Sequence, residues 1–299
     1  MNRIPPFFLV CSLLLVACDE VAVQTPMDAQ SQIPAPAASE AAAEVDGYAG
    51  ATAAAEPEVP GDLAEQQYED ELLSNTRLLV TDSLRSGEGY FSADGGRFIY
   101  QSEQLAGNPF YQIFLMDLTT EQSELVSTGT GLTTCSWIHP TLDRIMYSST
   151  HEDPSALEKQ QDEIAFRESG EERAYGWDYD RHYDIYQADS NGGNVVNLTN
   201  TDGYDAEGSY SSDGSKILFA SNREAYSRTL SAAEQQLFDD DPSYFMDLYI
   251  MDADGSSVVQ LTHSPGYDGG PFFSPDGERV VWRRFNPDGN SAEVWTMNV

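Results

Sequence analysis

The stretch Met246–Arg284, MDLYIMDADGSSVVQLTHSPGYDGGPFFSPDGERVVWRR, decides the fold. Leu248–Met251 and Val258–Leu261 are short β-rich runs joined by Asp254-Gly255, and Gly270–Ser274 and Arg279–Trp282 flank Asp276-Gly277. Asp-Gly is a strong hairpin signal because both residues tolerate positive φ. The stretch therefore reads as four short antiparallel strands with two tight turns. A second copy, Tyr183–Asn222, keeps the register through its first turn, its Leu-Thr pair, its Gly-Tyr-Asp entry and its Ser-x-Asp-Gly turn. Two looser copies lie upstream. In one, Gly89–Gly95 precedes Arg97–Tyr100 and Gln112–Asp117; in the other, Cys135–Pro140 and Arg144–Ser148 flank Thr141-Leu142-Asp143 in place of Asp-Gly. A four-stranded unit cannot bury both faces alone, so repeated units stack radially, and the fold expected is an all-β propeller of four-stranded antiparallel blades.

Asp247-Leu248-Tyr249, Asp254-Gly255, Leu261-Thr262 and Ser274-Pro275-Asp276-Gly277-Glu278-Arg279-Val280 together resemble the Tol-B-like propeller repeat, a relative of the WD-type repeat. The resemblance covers residues 76–299, with two close units and two loose ones. It implies a periplasmic scaffold that binds an envelope protein or peptide. That family is usually six-bladed, whereas four blades are visible here. Leu78–Thr81 aligns with the fourth strand of the other units and could close a four-bladed ring by pairing with the C-terminal strand. However, Glu293–Val299 looks like a unit cut before its turn, so truncation from a longer chain is the preferred expectation.

Residues 1–17 carry Arg3 and an apolar run, Phe7–Ala17, too short to span a bilayer, and read as a signal peptide. Leu15-Val16-Ala17-Cys18 resembles the bacterial lipobox, which makes Cys18 the lipidated first residue of a protein anchored in the cell envelope. Asp19 leaves inner or outer membrane open. Residues 18–75 hold alanine clusters, prolines, thirteen acidic residues and no lysine or arginine, the composition of a disordered, charge-extended tether. The Tol-B protein carries a folded domain at this place, so functions residing in that domain do not transfer. The whole chain has 50 acidic and 15 basic residues, a net charge of −35, which argues against nucleic acid and anionic headgroups as partners. Once Cys11 leaves with the signal and Cys18 takes lipid, Cys135 remains, a buried core thiol by its place on an innermost strand.

Two segments exceed what a hairpin needs, Ser149–His182 and Arg223–Met246. Each carries a capping-box pattern before a helical run, Ser155-Ala-Leu-Glu158 and Ser231-Ala-Ala-Glu234, and so predicts a short helical insert. In blade order both join the second strand to the third. Those connections share a rim with the Gly-Tyr-Asp loops, and long loops on a rigid scaffold carry binding. The candidate binding residues are Trp177, Asp178, Tyr179, His182, Asp202, Tyr204, Asp205, Glu207, Tyr267 and Asp268. Asp178, Asp180, Asp202, Asp205, Glu207 and Asp268 could supply oxygen ligands for calcium, or could satisfy loop amides without any metal. No EF-hand spacing supports the first reading. Trp177, Tyr179, His182 and Tyr183 could pack under the insert or form a stacking platform.

No Gly-x-Ser-x-Gly elbow occurs, and His151-Glu152 is followed by Asp153-Pro154 rather than completing a zinc motif. His139, His151, His182 and His263 lack metal-ligand spacing. The expectation is a non-catalytic binding scaffold without a cofactor. Two alternatives stay open: the propeller of an envelope peptidase whose catalytic domain lies beyond Val299, and a carbohydrate-lyase-like propeller, against which the dispersed histidines count.

Overall fold

Each repeat folds into one antiparallel sheet in chain order. A computed structural model describes residues 73, 76–173 and 176–299. The expected signal peptide, Cys18 and the tether apart from Leu73 lie outside them. The first blade is β1 (Ser86–Phe91), β2 (Arg97–Ser102), β3 (Gln112–Asp117) and β4 (Gln122–Leu125). The second is β5 (Thr133–Ile138), β6 (Arg144–Ser149), β7 (Asp184–Asp189) and β8 (Val196–Asn197). The third is β9 (Asp205–Tyr210), β10 (Lys216–Ser221), β11 (Asp247–Asp252) and β12 (Val259–Gln260). The fourth has three strands, β13 (Asp268–Phe273), β14 (Arg279–Phe285) and β15 (Ala292–Asn298). These sheets are blades of a β-propeller.

Strand alternation sends one face of a blade to each neighbour. Ile99 and Ile113 of the first blade meet Ile145, Tyr147 and Tyr186 of the second; Met146 and Ile185 of the second meet Ile217, Phe219 and Tyr249 of the third. Leu218, Ala220 and Leu248 then meet Val280 and Trp282 of the fourth. Burying each large side chain contributes about 1.5–3 kcal/mol relative to exposure.

The repeated motifs are hydrogen-bonding devices. In the Leu-Thr pairs the threonine hydroxyl accepts the N–H near the start of the third strand, Ile185 to Thr199 at 3.0 Å and Leu248 to Thr262 at 2.9 Å. The same hydroxyl donates to the strand's first aspartate, Asp184 or Asp247. Ser127 and Gln112 reproduce the arrangement in the first blade. In the Ser-x-Asp-Gly turns the serine hydroxyl donates to the aspartate, as at Ser92–Asp94 (2.6 Å) and Ser211–Asp213 (2.7 Å), and holds Asp213 down to about 2. Where Asp-Gly is missing, His139 Nδ1 accepts the N–H groups of Thr141 and Leu142 instead.

Two expectations are corrected. Leu78–Thr81 forms no strand and does not pair with β15; Leu79 and Val80 pack on Tyr100, Phe114 and Met116, covering the aromatic outer face of the first blade. The four sheets therefore do not close by joining the two ends. At α1 (Ala156–Ser169) Ser155 makes no side-chain cap. Asp153 captures that turn, since its Oδ1 accepts the Ser155 N–H at 2.9 Å and its carbonyl the Ala156 N–H at 3.0 Å. The second insert holds α2 (Arg223–Ser227), α3 (Ala232–Asp240) and a 3₁₀ turn, Pro242–Phe245. Here Ser231 and Glu234 do form the reciprocal capping box. Among the described residues no helix is long and apolar enough to cross a membrane.

Both inserts lie on the face of the Gly-Tyr-Asp loops. The Gly203 N–H donates to the Arg181 carbonyl at 2.9 Å, and the Gly266 N–H to the Tyr244 carbonyl at 3.1 Å.

Candidate functional site

The innermost strand of every blade breaks its register at one place. The residue there takes a left-handed backbone: Glu88 at φ 38°, Cys135 at 53°, Glu207 at 58° and Gly270 at 61°. An extra residue in one strand of an antiparallel pair swings its side chain out of the pleat. Only Gly270 adopts this conformation without a Cβ penalty, which is of order 1 kcal/mol or more for each of the others. Consequently Glu88, Cys135 and Glu207, from three different blades, line one axial cavity of 270 Å³ with Trp177, Tyr179, Tyr204 and Arg283. Two residues further along the inner strands, Tyr90, Trp137 and Phe272 cluster with ring centres 4.2, 5.7 and 6.3 Å apart.

The first insert supplies the wall. Trp177 donates its indole N–H to the Tyr204 hydroxyl at 2.8 Å, and Tyr179 meets the Tyr204 ring edge-on at 5.0 Å. Tyr183 stands 4.9 Å from Tyr204 and bonds Thr134 at 2.6 Å. The aromatic patch is thus both packing under the insert and cavity lining. Glu207 accepts the Tyr267 hydroxyl and the Gly270 N–H, and Glu88 accepts the Tyr90 hydroxyl at 3.2 Å. Crowding by the inner strands pushes the Glu88 carboxyl up, although one side of it stays open to solvent; the Tyr90 bond opposes the rise and Glu207 adds to it. Burial pushes the Cys135 thiol far up, and the charges of Glu88 and Glu207 push it further. Activated cysteines show the opposite, a thiolate favoured by nearby positive charge.

A second cavity, of 340 Å³, adjoins the first. Tyr244, Gly266, Tyr267, Phe285 and Asn286 line it, and it shares Tyr179 and Arg283 with the axial cavity. The Arg283 guanidinium lies 6.0 Å over Tyr267 and 5.9 Å over Phe285.

The other expected site residues go elsewhere. Asp205 is buried against Arg223, with Oδ2 2.6 Å from Nη2, and takes the Ser221 hydroxyl. Asp268 is likewise buried against Arg284 at 2.6 Å, and Asp202 pairs with Arg181 at the surface. Each of these aspartates has an arginine as counter-ion, so these three of the expected calcium ligands are not gathered. Asp180 and His182 meet Asp153 instead, with donor atoms within 4.8 Å of one another. That donor set suits a hard cation, but Lys159 supplies the positive charge, with Nζ 2.9 Å from Asp153 Oδ2 and bonded to Asp180. Burial works against the Lys159 ammonium; the two aspartates outweigh it and hold it up at about 12. Asp178, beside them, is pushed up by burial and by Asp180.

Glu88 and Arg283 did not stand out in the sequence, and Cys135 read only as core. Their signal was the alignment of the units: Glu88, Cys135, Glu207 and Gly270 occupy one column, two residues before Tyr90, Trp137, Ser209 and Phe272.

No family model matches the sequence, and no curated protein matches it. Solved structures do. A TolB-assigned protein of Agrobacterium tumefaciens superposes with a TM-score of 0.50 at 20% identity, over 74% of this chain and 64% of that one. TolB of Acinetobacter baumannii gives 0.48 at 22% identity, over 73% and 41%, and an oligogalacturonate lyase in complex with manganese gives 0.45 at 13%, over 73% and 52%. This chain therefore spans less than two thirds of the length of each. At such identities the likeness concerns architecture, and the architecture is the TolB-like β-propeller.

Proposed function

We propose that this chain is a non-catalytic, lipid-anchored scaffold of the bacterial cell envelope that holds a protein or peptide segment across the insert-bearing face of its propeller. One observation carries the reading: two adjoining cavities open beside the inserts, walled by Trp177, Tyr179, Tyr204 and Tyr267 and joined at Tyr179 and Arg283. Aromatic and arginine side chains in concave sites are the anchors of protein interfaces. An extended chain reaching from one cavity to the other would cross that shared ridge. The raised Cys135 thiol supports binding over nucleophilic chemistry at the same place. The periplasmic setting and the anchor at Cys18 rest on the lipobox and short apolar run.

The test replaces residues 152–181 with a short hairpin turn. Blade pairing continues without that loop in the first blade, and shortening a loop changes closure entropy little. Circular dichroism should report an intact fold, while cross-linking from envelope extract should lose the species captured by the intact protein. An unchanged profile on a folded variant would move the site off this face.

A further inference from the structure

Deepening that reading of the same face, and resting on it, we propose that the axial cavity is a primary-ammonium subsite in which Glu88 and Glu207 grip a protonated amine of the bound peptide between aromatic walls.

Charge balance is the first argument. The buried carboxylates around the inserts mostly carry a basic partner: Asp205 has Arg223, Asp268 has Arg284, Asp153 and Asp180 have Lys159, and Glu163 has Arg167 and Arg173. Glu88, open to solvent on one side, and Glu207, half-buried, make no ion pair with any described residue, although Arg283 lines the same cavity. A carboxylate offers about four acceptor sites. Glu207 uses two of them, on Tyr267 and Gly270, and Glu88 uses two, on Tyr90 and Cys135. The remaining acceptors share one cavity.

The second argument is the wall. Trp177, Tyr179 and Tyr204 line the same cavity, and aromatic faces attract a desolvated cation. A hard metal ion wants about six to eight oxygen ligands, more than two carboxylates beside an indole and a Tyr204 hydroxyl already engaged by Trp177 provide. An ammonium, with three donors and a short apolar stem, suits two carboxylates within an aromatic collar. Arg283 lines both cavities and lies over the Tyr267 and Phe285 rings on the side of the second.

Two sources carry this group, a peptide α-amino terminus and a lysine side chain, and their acidities separate them. The free α-amine loses its proton near pH 8 and lysine only above 10. Burial holds Cys135 and Tyr204, which line the cavity, and Tyr267, which donates to Glu207, above their ordinary values, so these groups keep their protons through pH 9.

The experiment is isothermal titration of the full chain in detergent at pH 7 and pH 9 with three synthetic probes: Ala-Leu-Ala-amide with a free amino terminus, its N-acetylated form, and N-acetyl-Lys-Leu-Ala-amide. At pH 7 a free-amine probe should bind at least about tenfold more tightly than the N-acetylated Ala-Leu-Ala-amide. Loss of that preference at pH 9 for the α-amine probe alone identifies each source. Glu207→Gln and Glu88→Gln should each erase most of the preference, while Lys216→Gln, whose ammonium pairs with Asp252 outside both cavities, should keep it. Glu207→Gln retains the shape of the bulge, and Glu88→Gln disturbs the Tyr90 and Cys135 bonds, so one folded variant suffices for the comparison. Equal binding of acetylated and free probes would overturn the ammonium subsite while leaving a peptide site in place. Binding of none of the probes would overturn it too, and the shortened-insert cross-linking would then decide the broader reading separately.

Discussion

Asp247 begins β11 in the insert-bearing half of the third blade, 8% exposed and in no ion pair with any described residue, with His263 and Arg284 acting on it only from a distance. Its Oδ1 accepts Thr262 and Ser264, and its Oδ2 accepts Gln260 at 2.9 Å. Burial raises its carboxyl from 3.8 to about 6, against the pull of the Ser264 amide and the Thr262 hydroxyl, with Asp268 adding to the rise. The native state therefore holds this proton more tightly than the unfolded chain does. Stability associated with it is greatest below pH 4, falls as pH rises through 4–6, and is lower by about 3 kcal/mol above that window. Between pH 7 and pH 5 wild type should recover about 1.3 kcal/mol of that amount. Asp247→Asn removes the titration while its carbonyl keeps Thr262 and Ser264. Urea unfolding of both proteins at the two pH values gives the double difference, in which the net charge of −35 cancels. The account predicts that wild type gains about 1.3 kcal/mol on the variant as pH falls from 7 to 5. A double difference near zero, or a relative loss for wild type, would refute the burial argument.

Gly255 sits at φ +85° with the Leu198 carbonyl 2.6 Å from where a Cβ would fall, so Gly255→Ala should lower stability by about 2 kcal/mol or more, whereas Gly289→Ala, at φ +69° in open space, should lower it by only about 1; thermal unfolding separates them. Lys159→Met leaves Asp153 and Asp180 with only His182 beside them and, discounted for the half-exposed ammonium, should destabilise the first insert by about 1 kcal/mol. Limited proteolysis between residues 156 and 181 reads that loss, and protection restored by millimolar calcium would show that the same oxygens can take a metal. Mass spectrometry of the membrane fraction should find an acylated Cys18 as the mature N-terminus, and deleting residues 19–74 should leave the unfolding midpoint nearly unchanged.

The blades were legible because their signals are local. Asp-Gly turns, alternating apolar strands and the Leu-Thr and Ser-x-Asp-Gly devices each act within one repeat, and the strands fall where those pairs place them. The shared rim was legible from topology. What the residues did there was less so, because counter-ions come from other segments: Arg223 for Asp205 and Arg284 for Asp268 are set by strand register, and Lys159 reaches Asp180 from one turn into a helix. The axial cavity was hidden for a related reason. A left-handed bulge on a glutamate or cysteine has no propensity signature, unlike the glycine of Gly270, and Glu88, Cys135 and Glu207 become neighbours only when three blades meet. Ser155 misled because Asp153, two residues earlier, competes for the same helix terminus.

The claim that this face holds a partner is tested most directly by placing a photo-reactive amino acid at Tyr179, on the ridge between the two cavities, and another at Asp254, in a tight turn of the opposite face. After irradiation of intact cells, cross-linked products are identified by mass spectrometry. The account predicts a discrete envelope protein or peptide captured from position 179 and none from position 254. Equal capture from both positions, or capture from 254 alone, would contradict it.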